Sequence, residues 1–357
     1  MTKRICILAP YPIGQAPSQR FRFEQYIPDL EKDGYSVEIY PFLSEKNWAH
    51  LYKNGSLLKK AWAMISSLLG RMRILGKLRK ADKILIHREA SMIGPPVIEW
   101  IIAKLLRKRY IFDFDDAIWL PNYSESNAAF HRLKAYGKIK RIIKWSDKVF
   151  AGNDFLADYA RQFNKKVHII PTTIDLENVH NIQAAHANDP PIIGWTGSHT
   201  TLSYIEPLLP VLEKLQQEIP FRFHIIANLP PNFGADYIDF IPWNKESEIQ
   251  DLARIDIGIM PLEDTIWAKG KCGFKGLQYM ALGIPAVMSP VGVNTKIVKD
   301  MKNGILCSTD DEWYSALKTL LTDRERRIQL GQAGRETVLA KYSVQAYRST
   351  YLKLINE

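Results

Sequence analysis

Short, nearly continuous apolar runs recur along this chain, each separated from the next by a polar turn and a helix-length segment. The first series is 5–9 (ICILA), 37–40 (VEIY), 84–87 (ILIH), 110–114 (YIFDF), 149–151 (VFA) and 167–170 (VHII). The second is 192–195 (IIGW), 222–227 (RFHIIA), 240–241, 257–260 (IGIM), 286–288 (AVM) and 305–307 (ILC). Runs that are apolar at consecutive rather than alternate positions are buried on both faces, and strands alternating with helices build parallel sheets. Helices are expected over about 19–33, 96–108, 127–145 and 154–162. Between the two series, residues 175–190 are polar and end in a Pro-Pro pair, which reads as a linker. A chain of 357 residues also exceeds one ordinary core. The expectation is an α/β chain with a first doubly wound domain over 1–175, a second over 190–340 and a terminal helix over 341–357.

Composition narrows the classes. The apolar and charged fractions, 46% and 24%, are those of a globular protein. No apolar run is long enough to span a bilayer, and the start of the chain enters a strand too short for a secretory core segment. Cys6, Cys272 and Cys307 are far apart and odd in number, which fits a reducing, cytoplasmic compartment and no metal-ligand spacing. Residues 1–110 hold 20 Lys/Arg against 9 Asp/Glu, and the remainder is close to neutral. Nine of those basic residues fall in 53–83, from Lys53 to Lys83, interleaved with Leu, Ile, Met and Trp, with Asp82 as the one acid. That mixture suits a helix lying on an anionic membrane surface, or a core helix whose solvated face is basic. No nucleic-acid module is present, so nucleic acid is not expected as a partner.

Ligands of parallel sheets bind beyond the carboxyl ends of strands, so the loops after strands carry the chemistry. The richest is 269–287, KGKCGFKGLQYMALGIPAV. It reads as a loop, a short helix with Phe274, Leu277, Met280 and Ala281 on one face, and a Gly-Ile-Pro turn into a strand. Gly273 would stand at the helix start, where unbonded N–H groups and the helix dipole favour a phosphate. Lys271 and Lys275 would add charge, and Gln278 an amide one turn on.

This stretch resembles the nucleotide-sugar site of retaining glycosyltransferases with the GT-B fold, family 4 (glycosyl transferases group 1). The resemblance implies two Rossmann-like domains facing across a cleft, with the C-terminal helix crossing back to the first. It implies a nucleotide-diphosphate sugar as substrate, a glycan or lipid-linked acceptor, and no metal or other cofactor. Members carry a Glu seven residues before a second Glu. Here those places hold Gly270 and Gln278, so both carboxylates are absent. Lys271, Cys272, Gly273, Phe274 and Lys275 would hold the diphosphate, with Lys275 catalytic in neutralising the leaving group, and Gln278 would bond the ribose.

Other loops complete the expected site. GWTGSHTTLSYIEPL, 194–208, offers Gly197, Ser198 and His199 to the phosphates. The Arg/Lys pair usual there in the family is missing, which leaves Lys269, Lys271 and Lys275 to supply charge. Trp243, after Pro242, would stack on the base or simply pack the surface. Glu263 and Asp264 would meet sugar hydroxyls or pair with the lysines. In YPIGQAPSQRFR, 11–22, Gly14 falls where the family approaches the donor phosphates, and Arg20 and Arg22 would lie on the acceptor side. DFDDAIW, 113–119, places three acids at a buried strand's end, a costly arrangement without a use. Asp115 and Asp116 are the catalytic candidates, where the family often has a His; an N-cap role is the alternative. A metal at Asp113 and Asp115 is not expected.

The expected function is therefore sugar transfer with retention, in bacterial polysaccharide or glycoconjugate assembly, at the inner face of the membrane. The missing motif charges keep two others open: a non-catalytic protein of this fold that binds a nucleotide sugar or a partner, and a nucleotide-sugar epimerase or hydrolase.

Overall fold

The computed structural model describes residues 2–52, 57–121 and 133–357. It divides into two compact units, Met1–Thr172 with Arg348–Glu357, and Thr173–Tyr347. Each is built on a six-stranded sheet in which every pairing is parallel. The first unit contains β1 (Lys3–Ala9), β2 (Tyr35–Pro41), β3 (Lys83–His87), β4 (Ile111–Phe114), β5 (Lys148–Ala151) and β6 (Val167–Ile169), in the order β2-β1-β3-β4-β5-β6. The second contains β7 (Ile192–Gly197), β8 (Arg222–Ala227), β9 (Ile238–Pro242), β10 (Ile257–Met260), β11 (Ala286–Met288) and β12 (Ile305–Leu306), in the order β12-β11-β10-β7-β8-β9. The apolar runs are strands because helices cover both sides of each sheet; residues 5–9 of β1 are wholly buried, Cys6 among them.

Both sheets reverse direction beside their first strand, between β1 and β3 and between β7 and β10. At such a switch point neighbouring loops leave in opposite directions and open a crevice beyond the strand ends. The crevices lie beyond Ala9 and His87 in the first unit, and beyond Gly197 and Met260 in the second.

Three local expectations differ from the structure. The helix expected over 19–33 is broken into Pro17–Arg20, Glu24–Tyr26 and Ile27–Lys32. Pro28 lacks an N–H and fits only a first helical turn, so a new helix must begin beside it. Of the helix expected over 127–145, residues up to 132 lie outside the described residues, as does Lys53; the described part is Ile139–Trp145, preceded by a 3-10 turn. The polar stretch 175–190 falls in the second unit and is laced to it. Ala184 N–H donates to Leu282, His186 Nε2 lies 2.9 Å from the Gly283 carbonyl, and Asn188 donates to Asp256. At the other end of the chain, residues Arg348–Glu357 return to the first unit. There Tyr351 stacks on Tyr26 at 4.1 Å and Arg348 pairs with Asp29.

In the second unit the helix Phe274–Ala281 lies on β10 because residue 258 is glycine. A Cβ there would stand 2.3 Å from the Tyr279 ring. Tyr279 fills that niche, and its hydroxyl accepts from Thr196 N–H at 3.0 Å and donates to the Ile259 carbonyl at 3.3 Å. One side chain thus locks the helix to β7 and β10, the strands of the switch point. Gly258→Ala should force the ring out of its seat and cost about 1–3 kcal/mol. Urea denaturation would show a lowered midpoint; an unchanged midpoint would mean that the ring yields freely.

Candidate functional site

The lock at Tyr279 sets where the start of its helix falls. Gly273 precedes Phe274 with φ of 69°, a left-handed conformation that glycine adopts without strain, and a Cβ there would meet Ile297 at 2.2 Å. Gly273 has no side chain with which to cap the helix, whose start follows the loop beyond the carboxyl end of β10.

Two lysines flank this start. Lys275 lays its ammonium 4.4 Å from the centroid of the Trp195 indole, a fully buried ring of β7. Lys271 sits between Tyr204, 6.0 Å away, and Trp267, 5.9 Å away, so the turn after β7 and the loop after β10 meet around it. Aromatic faces attract a cation but hydrate it less than water does. Burial, with the like charge of Lys271, pushes the Lys275 ammonium down to about 7 from an ordinary 10.5. An anion placed among these groups would restore the charge.

The remaining residues expected on this side differ in what they offer. Gly197 packs against the indole edge: a Cβ there would stand 2.4 Å from Trp195. Ser198 Oγ bonds Thr200 at 2.9 Å, and His199 N–H donates to Asn228 at 2.7 Å, so this turn is already braced from within. Trp243 follows β9, tied by its N–H to the Ala227 carbonyl, with its indole partly exposed at the strand ends. Cys272 is buried, its sulfur 3.9 Å from the Gly270 carbonyl. Phe274 is partly exposed. Lys269 pairs with Asp264 at 3.2 Å on the surface.

Gln278 departs from expectation. It is 1% exposed, and its Nε2 lies 3.4 Å from Glu248 Oε1 and 3.5 Å from His180 Nε2, both buried. The amide faces the interior because every residue from Gly276 to Ala281 is buried, so the helix is enclosed on all sides beyond its start. Glu248 and His180 gave no signal in the sequence: they come from a helix and a polar stretch remote from the motif.

In the first unit the loop after β1 is built around Gln19 and Glu24. Gln19 both accepts from and donates to the Tyr11 backbone, and Glu24 accepts from Gly14 N–H at 2.9 Å. Gly14 takes the left-handed conformation there, with φ of 77°. Arg20 is partly exposed, with its guanidinium 5.1 Å from the Phe21 ring. Arg22 does not lie on the surface. It is 3% exposed, forms a fork with Asp113 and donates to the Ile170 carbonyl, which makes it a core brace rather than an acceptor contact.

Asp113 is the centre of that brace, with His87 Nδ1 2.6 Å from Oδ2, the oxygen that also faces Arg22 Nε. Burial pushes its carboxyl up, but Arg22 and the bond from His87 outweigh burial and hold it down at about 2. Asp115 and Asp116 stand one step further along the chain, and Arg88 takes both, with Nε 2.8 Å from Asp115 and Nη2 2.9 Å from Asp116. Arg88 adopts φ of 60° to do so, and its N–H donates to the Asp113 carbonyl at 2.7 Å. Burial opposes the charge of Arg88, yet the two carboxylates strengthen its hold on its proton. His87 and Arg88 were missed in the sequence. The available signal was their position, directly at the end of the strand adjacent to β4.

The Asp113 pair carries a pH consequence. Its folded carboxyl titrates at about 2 against an ordinary 3.8, so the pair stabilises the protein above about pH 4 and loses that contribution as pH falls towards 2. The loss should be on the order of 2 kcal/mol. Acid unfolding of Asp113→Asn should lack that limb and start about 3–5 kcal/mol less stable. Acid curves of identical shape would contradict the brace.

Comparison with known proteins bears on both units. Residues 190–323 match the family model described as Glycosyl transferases group 1. No curated protein matches the sequence. Among solved structures, sucrose-phosphate synthase from Thermosynechococcus elongatus is similar with a TM-score of 0.70 at 15% identity, over 99% of this chain and 98% of that one. HepE of Anabaena in complex with UDP and glucose gives 0.70 at 13%, over 99% of each chain. A glycosyltransferase from Rickettsia africae gives 0.70 at 14%, over 99% and 98%. The chain has the GT-B fold of glycosyltransferases.

Proposed function

We propose that this chain is a glycosyltransferase that moves a sugar from a nucleotide-diphosphate donor to a glycan or lipid-linked acceptor, with retention at the anomeric carbon. One observation carries the reading. Within the stretch that matches Glycosyl transferases group 1, Lys271 and Lys275 stand among aromatic rings at the start of the helix Phe274–Ala281, beside the switch point of the sheet. Two cations held among aromatic rings, one of them with its charge suppressed, are poised for an anion with more than one negative charge.

In this reading Lys271, Lys275 and the first amides of the helix bind the diphosphate, Gly197 and Ser198 border it, and Trp243 stacks on the base. The bond between the anomeric carbon and the phosphate oxygen breaks, and the two lysines stabilise the charge left on the diphosphate. A hydroxyl of the acceptor attacks from the same face, and its proton passes to the departing phosphate. The catalytic contribution is largely electrostatic and needs no protein nucleophile. In the first unit Asp115 and Asp116, held in place by Arg88, accept hydrogen bonds from acceptor hydroxyls. The buried cysteines, none in a disulfide, suit a reducing cytoplasm, and assembly of bacterial polysaccharide or glycoconjugate on the inner membrane face is the setting that fits a lipid-linked acceptor.

A second reading, a binding protein without turnover, is favoured by one feature: Gly270 and Gln278 replace the two carboxylates of the family pattern, and Gln278 is buried. Thermal shift with UDP-, GDP-, ADP- and CMP-sugars, followed by a transfer assay with and without acceptor, decides between them. One nucleotide should raise Tm, and Lys275→Ala should abolish the rise. Transfer lost in the same variant supports the enzyme; a retained shift with no product in any assay supports the binder. A rise unchanged in Lys275→Ala would remove the observation on which the site rests.

A further inference from the structure

The basic segment of the first unit resolves into the helix Leu57–Arg73 and a shorter one, Leu75–Arg79. The longer helix has an inward side of the ordinary kind. Ala63, Met64 and Ser67 are buried, and Arg71, 2% exposed, donates to the carbonyls of Ala9, Tyr40 and Ala90. Those three bonds clamp the helix to the ends of β1 and β2. Its outward side is not polar as a solvated helix requires. Trp62, Ile65, Leu69 and Met72 are 67%, 48%, 52% and 48% exposed, and their spacing of three and four places them in one stripe. The stripe runs ~15 Å along the helix.

Charge identifies what covers it. Lys59, Arg73, Lys77, Arg79 and Lys80 are all exposed along and beyond the stripe, and Asp82 is the one acid between 57 and 83. A rigid apolar strip with Trp at one end and a row of cations beside it matches a surface that is apolar in depth and anionic at its boundary. We propose that this helix is a docking surface for an anionic lipid bilayer, with the four apolar side chains at the acyl boundary and the basic residues among the headgroups. No helix among the described residues is long and apolar enough to cross a membrane, so the attachment would be peripheral. The inference stands on the first unit alone and does not depend on the sugar chemistry.

Co-sedimentation of the full chain with vesicles tests it. Vesicles of phosphatidylcholine with one third phosphatidylglycerol should bind the protein, and phosphatidylcholine alone should bind at least about tenfold less. At ~1 M salt, where screening acts over ~3 Å, binding should fall by a similar factor. Ile65→Ser with Leu69→Ser, and separately Lys77→Glu with Lys80→Glu, should each lower binding about tenfold or more at unchanged Tm. Equal binding by these variants, or no binding to either vesicle, would overturn the proposal. So would a dimer of the wild-type chain that dissociates in the serine variant without vesicle binding, which would assign the stripe to a second copy. A fall in Tm on the serine substitutions would show the stripe to be packed core and would overturn it as well.

Discussion

The geometry of the second unit depends on a missing side chain. Because Gly258 has no Cβ, the Tyr279 ring can sit directly on β10, and its hydroxyl closes bonds to Thr196 of β7 and Ile259 of β10. A buried phenol with both hydrogen-bonding roles satisfied is a rigid joint. Through it, the helix Phe274–Ala281 is fixed in rotation and in advance along its axis. Gly273 therefore arrives at the strand ends, and Lys275 arrives on the face of Trp195. The cation site follows from packing that lies four residues and more along the chain from the charges it positions.

The two units handle charge in opposite ways. In the second, a lysine is left against an indole with another lysine nearby, and its ammonium is held down. That is an unfavourable arrangement for the isolated protein, and an incoming anion relieves it. In the first, charge is paired within the fold. Arg22, Asp113 and His87 form a buried charged group, and Arg88 bridges Asp115 and Asp116. Buried pairs of this kind add little net stability over an apolar core, but removal of one member leaves the other stranded. Their effect is to fix the ends of β3 and β4, where two partly exposed carboxylates stand in a set orientation.

The strands were legible in the sequence because burial on both faces writes itself as consecutive apolar residues; 5–9 and 257–260 are clear instances. The helix start at Gly273 was legible too, through a glycine before an apolar period. Other features depend on partners far along the chain. Arg22 was expected on the acceptor side, and only its meeting with Asp113, 91 residues on, makes it a core residue. Gln278 shares a face with Lys275, but from Gly276 on the helix is enclosed on all sides, and there Gln278 meets Glu248 and His180. The polar stretch 175–190 read as a linker by composition, although its polar groups are bound to Leu282, Gly283 and Asp256. Polarity in a sequence reports that hydrogen bonds are needed, not whether water or protein supplies them.

In the proposed function Lys275 binds the donor diphosphate, its charge suppressed until the anion arrives. Titration calorimetry of UDP binding at a pH somewhat above 7, in buffers of different ionisation enthalpy, counts the protons exchanged on binding. With the free ammonium at about 7, the wild-type chain should take up close to one proton as the diphosphate restores the lysine charge. Lys275→Met should bind more weakly and take up none. Binding of UDP with no proton uptake in the wild-type chain, or with the same uptake in the variant, would contradict the account.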